Sequence, residues 1–332
     1  MHQNNWSFIH SKLYALCRRQ SLLIAILILL LPLSAVANEK LFLLQGSQLY
    51  SLDPLSGSLL ENREVGDANL IQPTPGGKYI FVINTETGLG EAIDFENLAE
   101  AKPLDFSIHA PLQGLSFSPM GHEIYIQSNQ GIHTWNHKAG VVSPGETLPY
   151  PSIQGKPAFN SRGTRIYLPR QRALEYGLLS NGSILRTITI PKGIENWVTA
   201  PGGRFLWGSG PGGLVIVDER RNRVVENFPW KDVSPPIFDG AEHYAWILAD
   251  SGKALQRLNI RRPQPQIVQE FPFSVQGPAP VEGTQGVWVA TNQNLLFIAN
   301  ESEEKRLPLP EESPVKALLT LQLKPNQGFA CF

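Results

Sequence analysis

The sequence predicts an all-β fold, a seven-bladed β-propeller whose blades are four-stranded antiparallel sheets. Three observations lead to it. A glycine-containing turn recurs along the chain, a short apolar strand with an aromatic residue follows each turn, and the spacing between these strands is close to forty residues. Outside the N-terminus, no stretch keeps apolar residues at helical spacing for more than about one turn.

The first 37 residues are typical of a secretory signal peptide. Lys12, Arg18 and Arg19 precede an apolar run, and the small-residue triplet 35–37 follows it. The run is interrupted by Pro32 and is shorter than the roughly 20 residues that a bilayer helix needs. We therefore predict cleavage after Ala37, leaving residues 38–332 as one propeller domain without a membrane span, periplasmic or secreted from a bacterium. A retained N-terminal anchor is the alternative.

Charge and cysteine content limit the possible partners. The chain has 28 Lys and Arg against 29 Asp and Glu. Without residues 1–37 it would keep 25 basic and 29 acidic residues, a formal charge of −4. No basic block remains to neutralise a row of phosphates, so nucleic acid is not an expected partner. Cys331 would be the one remaining cysteine, so no internal disulfide is expected.

The repeat is defined by its turns and by one aromatic residue per unit. The clearest turns are Thr74–Lys78, Ser118–His122, Asn160–Thr164 and Ala200–Arg204. In them, proline presets φ or glycine supplies a positive φ. The aromatic positions are Phe42, Phe81, Tyr125, Tyr167, Trp207, Trp246 and Trp288. Seven such positions predict seven blades, each with this aromatic residue on its second strand.

The two ends of the repeat array predict how the ring closes. The segment before Phe42 has no room for an inner strand, so blade one lacks one. A surplus strand, Val315–Leu323, follows the last blade. We expect it to pair into blade one, because closure removes the exposed sheet edges that otherwise favour aggregation.

The repeat resembles the YVTN-type bacterial β-propeller repeats. The best copies are Thr74–Asp94 and Ala200–Asp218, each a turn, an aromatic strand and an Ile-Asp or Val-Asp strand end. Phe81-Val82-Ile83-Asn84 is the nearest approach to the tetrad that names the family. The resemblance implies a seven-bladed propeller. It implies no single function, because the family is similar to propellers that bind proteins, envelope components or cofactors, and lactonase-like propellers share the same architecture.

No residue pattern predicts a catalytic centre, a metal site or a cofactor. His133 and His137 stand four apart on a predicted strand, about 13 Å, too far to share a metal, so we expect two exposed strand histidines. Gly208–Gly213 has no following helix to hold a phosphate, and is expected to be a loop between two strands. Gly-x-Ser-x-Gly, a calcium loop and a haem-attachment motif are all absent from the sequence.

A binding surface is predicted where loops gather at one end of the channel. These are the loops between blades and the loops between second and third strands. The candidate residues on them are Asp67, Asn69, His109, Tyr150, Arg170, Arg172, Lys192, Glu195, Trp197, Trp230, Lys231 and Asp232. Tyr150, Trp197 and Trp230 are rigid aromatic anchors of the kind interfaces favour, with packing between blades as the alternative for each.

The leading functional prediction is an exported, non-catalytic propeller that binds a protein or envelope polymer through these loops. The alternatives are a lactonase-like or other hydrolase with polar residues at the channel mouth, such as His109, Glu195 and Asp232, and the propeller subunit of a periplasmic oxidoreductase.

Overall fold

The structure is a computed structural model that describes residues 39–323 except 149, 151, 152, 154, 181, 240, 300 and 301. The predicted signal peptide, its cleavage site and Cys331 lie outside these residues. The described strands form seven antiparallel four-stranded sheets, the predicted fold. No helix in the described residues is long and apolar enough to cross a bilayer.

The strands are numbered in chain order and grouped by blade. Blade one contains β1 (Glu39–Gln45), β2 (Gln48–Leu52), β3 (Leu59–Glu64) and the last strand, β28 (Val315–Gln322). Blade two contains β4 (Leu70–Pro73), β5 (Tyr79–Ile83), β6 (Leu89–Asp94) and β7 (Ala101–Asp105), and blade three contains β8 (Leu112–Phe117), β9 (Glu123–Ser128), β10 (Gly131–Lys138) and β11 (Val141–Leu148). Blade four contains β12 (Ala158–Phe159), β13 (Arg165–Pro169), β14 (Ala173–Leu178) and β15 (Ile184–Thr189), and blade five contains β16 (Asn196–Thr199), β17 (Phe205–Gly210), β18 (Gly213–Asp218) and β19 (Arg223–Phe228). Blade six contains β20 (Ile237–Phe238), β21 (Tyr244–Ala249), β22 (Ala254–Asn259) and β23 (Pro265–Glu270), and blade seven contains β24 (Gln276–Pro280), β25 (Val287–Ala290), β26 (Asn294–Ala299) and β27 (Ser302–Pro308). A 3-10 helix, Ser107–His109, lies between blades two and three.

The ring closes as the sequence predicted. Strand β28 pairs antiparallel with β1, giving blade one the order β28-β1-β2-β3. Leu318 lies opposite Leu43, and Gln322 opposite Glu39. Blade one is therefore built from both ends of the described chain.

The seven predicted aromatic positions all lie on second strands. These strands are β1, β5, β9, β13, β17, β21 and β25, and the seven side chains are at most 3% exposed. Because each blade stacks face to face on the next, a large ring at this position fills the space between two sheets.

The hydrophobic core is divided among the blade interfaces. Each of the seven clusters found in the described part of the chain joins residues of two neighbouring blades. The cluster that joins blades seven and one contains Trp288 with Leu41 and Leu318. The Trp288 Nε1–H also donates to the carbonyl of Pro54 in blade one, at 2.8 Å. Apolar contact and a hydrogen bond thus hold the first and last blades together.

Candidate functional site

The inner strands of the seven blades line a central channel with two different ends. One end, here called the loop end, carries the connections between blades and the loops between second and third strands. The other, here called the turn end, carries the tight turns between first and second strands. Each end contains a cavity, and Ile237 of β20 lines both.

The loop-end cavity, here called the loop-end cleft, has a volume of about 580 Å³. It lies between the inner strands and loops of blades five, six, seven and one. Six polar side chains are among its lining residues: Asn196, Asp232, Ser234, Ser251, Gln276 and Lys316. A cavity of this size with a few convergent polar groups is the usual form of a small-molecule site.

Asp232 and Ser251 form a fixed pair in the loop-end cleft. The Ser251 hydroxyl donates to Asp232 Oδ2 at 2.6 Å. Both residues have left-handed backbone conformations, with φ of 45° at Asp232 and 57° at Ser251. The two loops are also joined because the amide of Asp250 donates to the carbonyl of Lys231 at 2.7 Å. Strained backbone maintained by such contacts is frequent at functional sites.

Lys316 brings a positive charge to the same cleft. It lies on β28, the closing strand, and its Nζ donates to the carbonyl of Ala68 at 2.9 Å. An ammonium carries three donors, so two remain for a ligand. The cleft therefore combines a carboxylate that can accept a proton with a cation that can stabilise a developing negative charge.

The turn-end cavity, of about 500 Å³, is acidic. Glu39, Asp239, Glu242 and Glu282 are among its lining residues. The Glu39 carboxylate accepts from the amide of Glu282. Burial, and then the neighbouring charge of Glu282, raise the pKa of Glu39 despite this hydrogen bond. Four carboxyl groups make this end less suited than the loop-end cleft to an anionic ligand.

The structure places one of the twelve predicted residues, Asp232, in the loop-end cleft. Tyr150 and Trp197 are each 4% exposed and pack inside the ring. The Tyr150 hydroxyl donates to the carbonyl of Leu178, and the Trp197 ring packs on Gly208, where a Cβ would lie 2.6 Å from a ring atom. Packing between blades, the alternative stated for these rings, is thus the arrangement seen for both.

The other predicted residues surround the cleft or lie farther around the ring. Trp230 is half-buried and stacks on Phe228. Asn69 joins two loops through hydrogen bonds to Thr85, and Arg170 pairs with Glu175 at 3.0 Å. The remaining predicted residues except His109 are exposed: Asp67, Arg172, Lys192, Glu195 and Lys231.

His109 belongs to a cluster that the sequence did not predict. Its ring stacks on His133, with centroids 3.8 Å apart. The two His133 nitrogens contact the hydroxyls of Ser128 and Thr147, each at 3.1 Å. Burial lowers the pKa of both histidines, and the proximity of His133 lowers that of His109 further.

The expectation of exposed strand histidines is therefore wrong. His133 and His137 are 5% and 7% exposed, because the third strand of blade three is covered on both faces by neighbouring blades. In the described residues, no group of three or more His, Cys, Asp or Glu side chains could hold a metal.

Solved structures share this fold. The Pseudomonas aeruginosa periplasmic gluconolactonase PpgL gives a TM-score of 0.66 at 15% identity, covering 86% of this chain and 99% of that one. A putative 6-phosphogluconolactonase from Bacteroides uniformis gives 0.65 at 12% identity, covering 85% and 99%. Apo AztD from Citrobacter koseri gives 0.60 at 14% identity, covering 86% and 98%. No protein-family model and no curated protein matches the sequence.

These comparisons correct the leading functional prediction. The sequence favoured a non-catalytic module that binds a protein or envelope polymer. Two of the similar structures are described as gluconolactonases, one of them putative, and this agrees better with the lactonase-like alternative. The prediction was wrong because the sequence contains no motif for a nucleophile, and the cleft residues come from four separate blades.

Proposed function

We propose that the chain is a lactonase-like hydrolase with its active site in the loop-end cleft. The observation that carries the proposal is the Asp232–Ser251 pair in a cavity that Lys316 also lines. The solved lactonase propellers support it at the level of fold. Propeller architecture alone would not suffice, since one fold supports many activities.

The chemistry assigned to these residues is hydrolysis of a cyclic ester. Asp232 accepts a proton from water as the water oxygen bonds to the lactone carbonyl carbon. Lys316 stabilises the negative charge that develops on the carbonyl oxygen. When the ring C–O bond breaks, the leaving alkoxide takes up the proton, so lactone and water give one hydroxy acid. Ser251 holds the Asp232 carboxylate in place through its hydrogen bond.

The proposal also includes the compartment in which the protein is located and the family to which it belongs. The signal-like segment 1–37 would direct the chain to the periplasm, the compartment named in the description of PpgL. The turn and strand of Thr74–Asp94 further support membership of the YVTN-type repeat group.

The test is lactone hydrolysis by the purified propeller, residues 38–332. Acid release from glucono-δ-lactone and from slower-reacting γ-lactones is followed in a pH-stat, with the spontaneous rate subtracted. The Asp232→Asn variant should lower kcat about 10²- to 10⁴-fold, the range for loss of a general base. Lys316→Met should also lower kcat/KM, because a charge-stabilising donor is lost.

Asp105→Asn is the matched control. Asp105 is an exposed carboxylate of blade two that accepts from the Ser107 hydroxyl at 2.6 Å and does not line the cleft, so this variant should retain full activity. Background rates with all lactones would contradict the proposed function. Equal losses in Asp232→Asn and Asp105→Asn would contradict the assigned site.

A further inference from the structure

A further cavity, here called the arginine cavity, lies on the outer strands of blade six, around the loop between β22 and β23. Its volume is about 630 Å³. Its walls include three arginines and three side-chain amides: Arg257, Arg261, Arg262, Asn259, Gln264 and Gln266. None of the described residues that line it is acidic, and it shares no lining residue with the loop-end cleft or the turn-end cavity.

Arg257 is held in a fixed position on the wall of the arginine cavity. Its guanidinium carbon lies 4.8 Å from the centre of the Tyr244 ring and 5.6 Å from that of Trp246. Its Nη2 donates to Gln266 Oε1 at 2.7 Å. Its Nε is buried and has no acceptor among the residues that the structure describes. Because buried donors are normally hydrogen-bonded, this wall lacks an acceptor.

The loop beside Arg257 presents two more arginines. Asn259 ends β22, and its Oδ1 accepts from the backbone amides of Arg261 and Arg262 at 2.9 and 3.1 Å. Both arginines are exposed. Across the described ranges, none of the three guanidiniums takes part in an ion pair. The positive charge of the cavity therefore has no counter-charge from these residues.

Blade five has the equivalent loop with a carboxylate in it. Asp218 ends β18, and its Oδ1 accepts from the backbone amides of Arg220 and Arg221. It lies opposite the first residue of the second strand, as Asn259 does in blade six. The Asp218 Oδ2 also pairs with Arg204 at 3.4 Å. Blade six thus keeps the side chain that caps the loop and lacks the negative charge that accompanies it in blade five.

We propose that the arginine cavity binds a phosphate monoester group. Such a group carries nearly two negative charges and three acceptor oxygens, which suit several arginines better than the single charge of a carboxylate does. Arg257 is the preorganised donor, and the two loop arginines add charge. The cavity is in the size range of small-molecule sites and exceeds a phosphate group alone, so the rest of the ester has room beside it. The site does not depend on lactone hydrolysis.

The experiment uses residues 38–332 and two probes with the same phosphate monoester, one free and one in a membrane. Glycerol 3-phosphate is titrated in a calorimeter, and flotation is measured with phosphatidylcholine vesicles that contain or lack phosphatidate. Binding of the soluble ester would assign the site to soluble phosphates, and binding of phosphatidate vesicles alone would assign it to a lipid headgroup. Glycerate, the carboxylate counterpart, should bind at least about tenfold more weakly than glycerol 3-phosphate, because it makes at least one charged hydrogen bond fewer.

Two variants test the assigned residues. Asn259→Asp keeps the cap, since both side chains accept the same backbone amides, and adds the carboxylate that blade five has. It should weaken binding about tenfold or more, because like charges repel. The double variant Arg261→Gln with Arg262→Gln should weaken binding about tenfold to a hundredfold, through the loss of charged hydrogen bonds.

The matched control is the double variant Arg220→Gln with Arg221→Gln. It removes the same charge from the equivalent loop of blade five, where both arginines are exposed, and should bind as the wild type does. The residues changed in all three variants are exposed, and circular dichroism checks that each variant is folded.

Four results would overturn the inference. They are the absence of binding by both phosphate probes, equal measurable affinity for glycerate and glycerol 3-phosphate, equal losses in the two double variants, and wild-type binding by Asn259→Asp. Phosphate binding with no lactone hydrolysis would leave this site standing and reject only the proposed function.

Discussion

Two tryptophans at equivalent positions offer a direct measure of the contact that closes the ring. Trp207 in blade five and Trp288 in blade seven both lie on second strands and are both fully buried. The Nε1–H of Trp288 donates to the carbonyl of Pro54 in blade one at 2.8 Å. The Nε1–H of Trp207 is buried and has no partner in the described part of the chain.

Replacing each tryptophan by phenylalanine removes the same volume, so the cavity cost is similar at the two positions. Trp288→Phe also leaves the Pro54 carbonyl without its donor, and an unsatisfied buried group costs about 1–3 kcal/mol. Trp207→Phe instead removes a buried N–H group that has no partner, which relieves the folded state of a free-energy cost of similar size. We therefore expect Trp288→Phe to be more destabilising than Trp207→Phe by at least about 2 kcal/mol.

Urea denaturation followed by circular dichroism measures this difference as a shift in midpoint at equal slope. Trp246→Phe, at the corresponding position of blade six, serves as a third member of the series. Equal midpoints for Trp207→Phe and Trp288→Phe, or a lower midpoint for Trp207→Phe, would refute the assignment of the Pro54 hydrogen bond as a closing contact.

Two further predictions concern stability. Burial raises the pKa of Glu219 to about 7, so the folded protein keeps this proton at a pH where the unfolded chain has lost it. The free energy of unfolding should therefore fall as pH rises from about 4.5 to about 7, by on the order of 3 kcal/mol. Glu219→Gln should flatten that slope in urea titrations, whereas Glu226→Gln, at an exposed position, should not. Truncation after Pro314 removes β28 and should lower Tm and produce aggregates in size-exclusion chromatography, because it exposes the edge of β1. Truncation after Leu323 keeps every described strand and should behave as the full propeller does; equal Tm values for the two truncations would refute closure by β28.

The fold could be predicted from the sequence because the sequence pattern of one blade repeats along the chain. Each blade repeats one turn, one aromatic strand and one loop, so weak copies are supported by strong ones elsewhere in the chain. Trp246 and Trp288 were placed correctly although the turns before them lack proline. Closure was predicted by counting strands, since blade one had three and the C-terminal segment supplied the fourth.

The candidate site was harder to predict from the sequence, because it depends on the direction in which individual side chains point. The sequence placed Tyr150 correctly on a loop between blades, whereas Trp197 lies on strand β16, and for both rings it left open whether they face solvent or the core. Ser251 and Lys316 gave no signal, because the cleft that they line is formed by residues of four separate blades. His133 was misjudged because a strand's alternation does not show exposure when both faces of its sheet are covered.

The pairing of Glu39 with Gln322 has a consequence for the order of synthesis. The strand made first in the described chain receives its inner neighbour only when the strand made last has emerged. Until then β1 presents an unpaired edge, which is a template for association between nascent copies. Blades two to seven have no such delay, because their four strands are consecutive in the chain. Folding of the ring is therefore completed at a single late step, and a chaperone that covers β1 until β28 has been synthesised would act on this one blade.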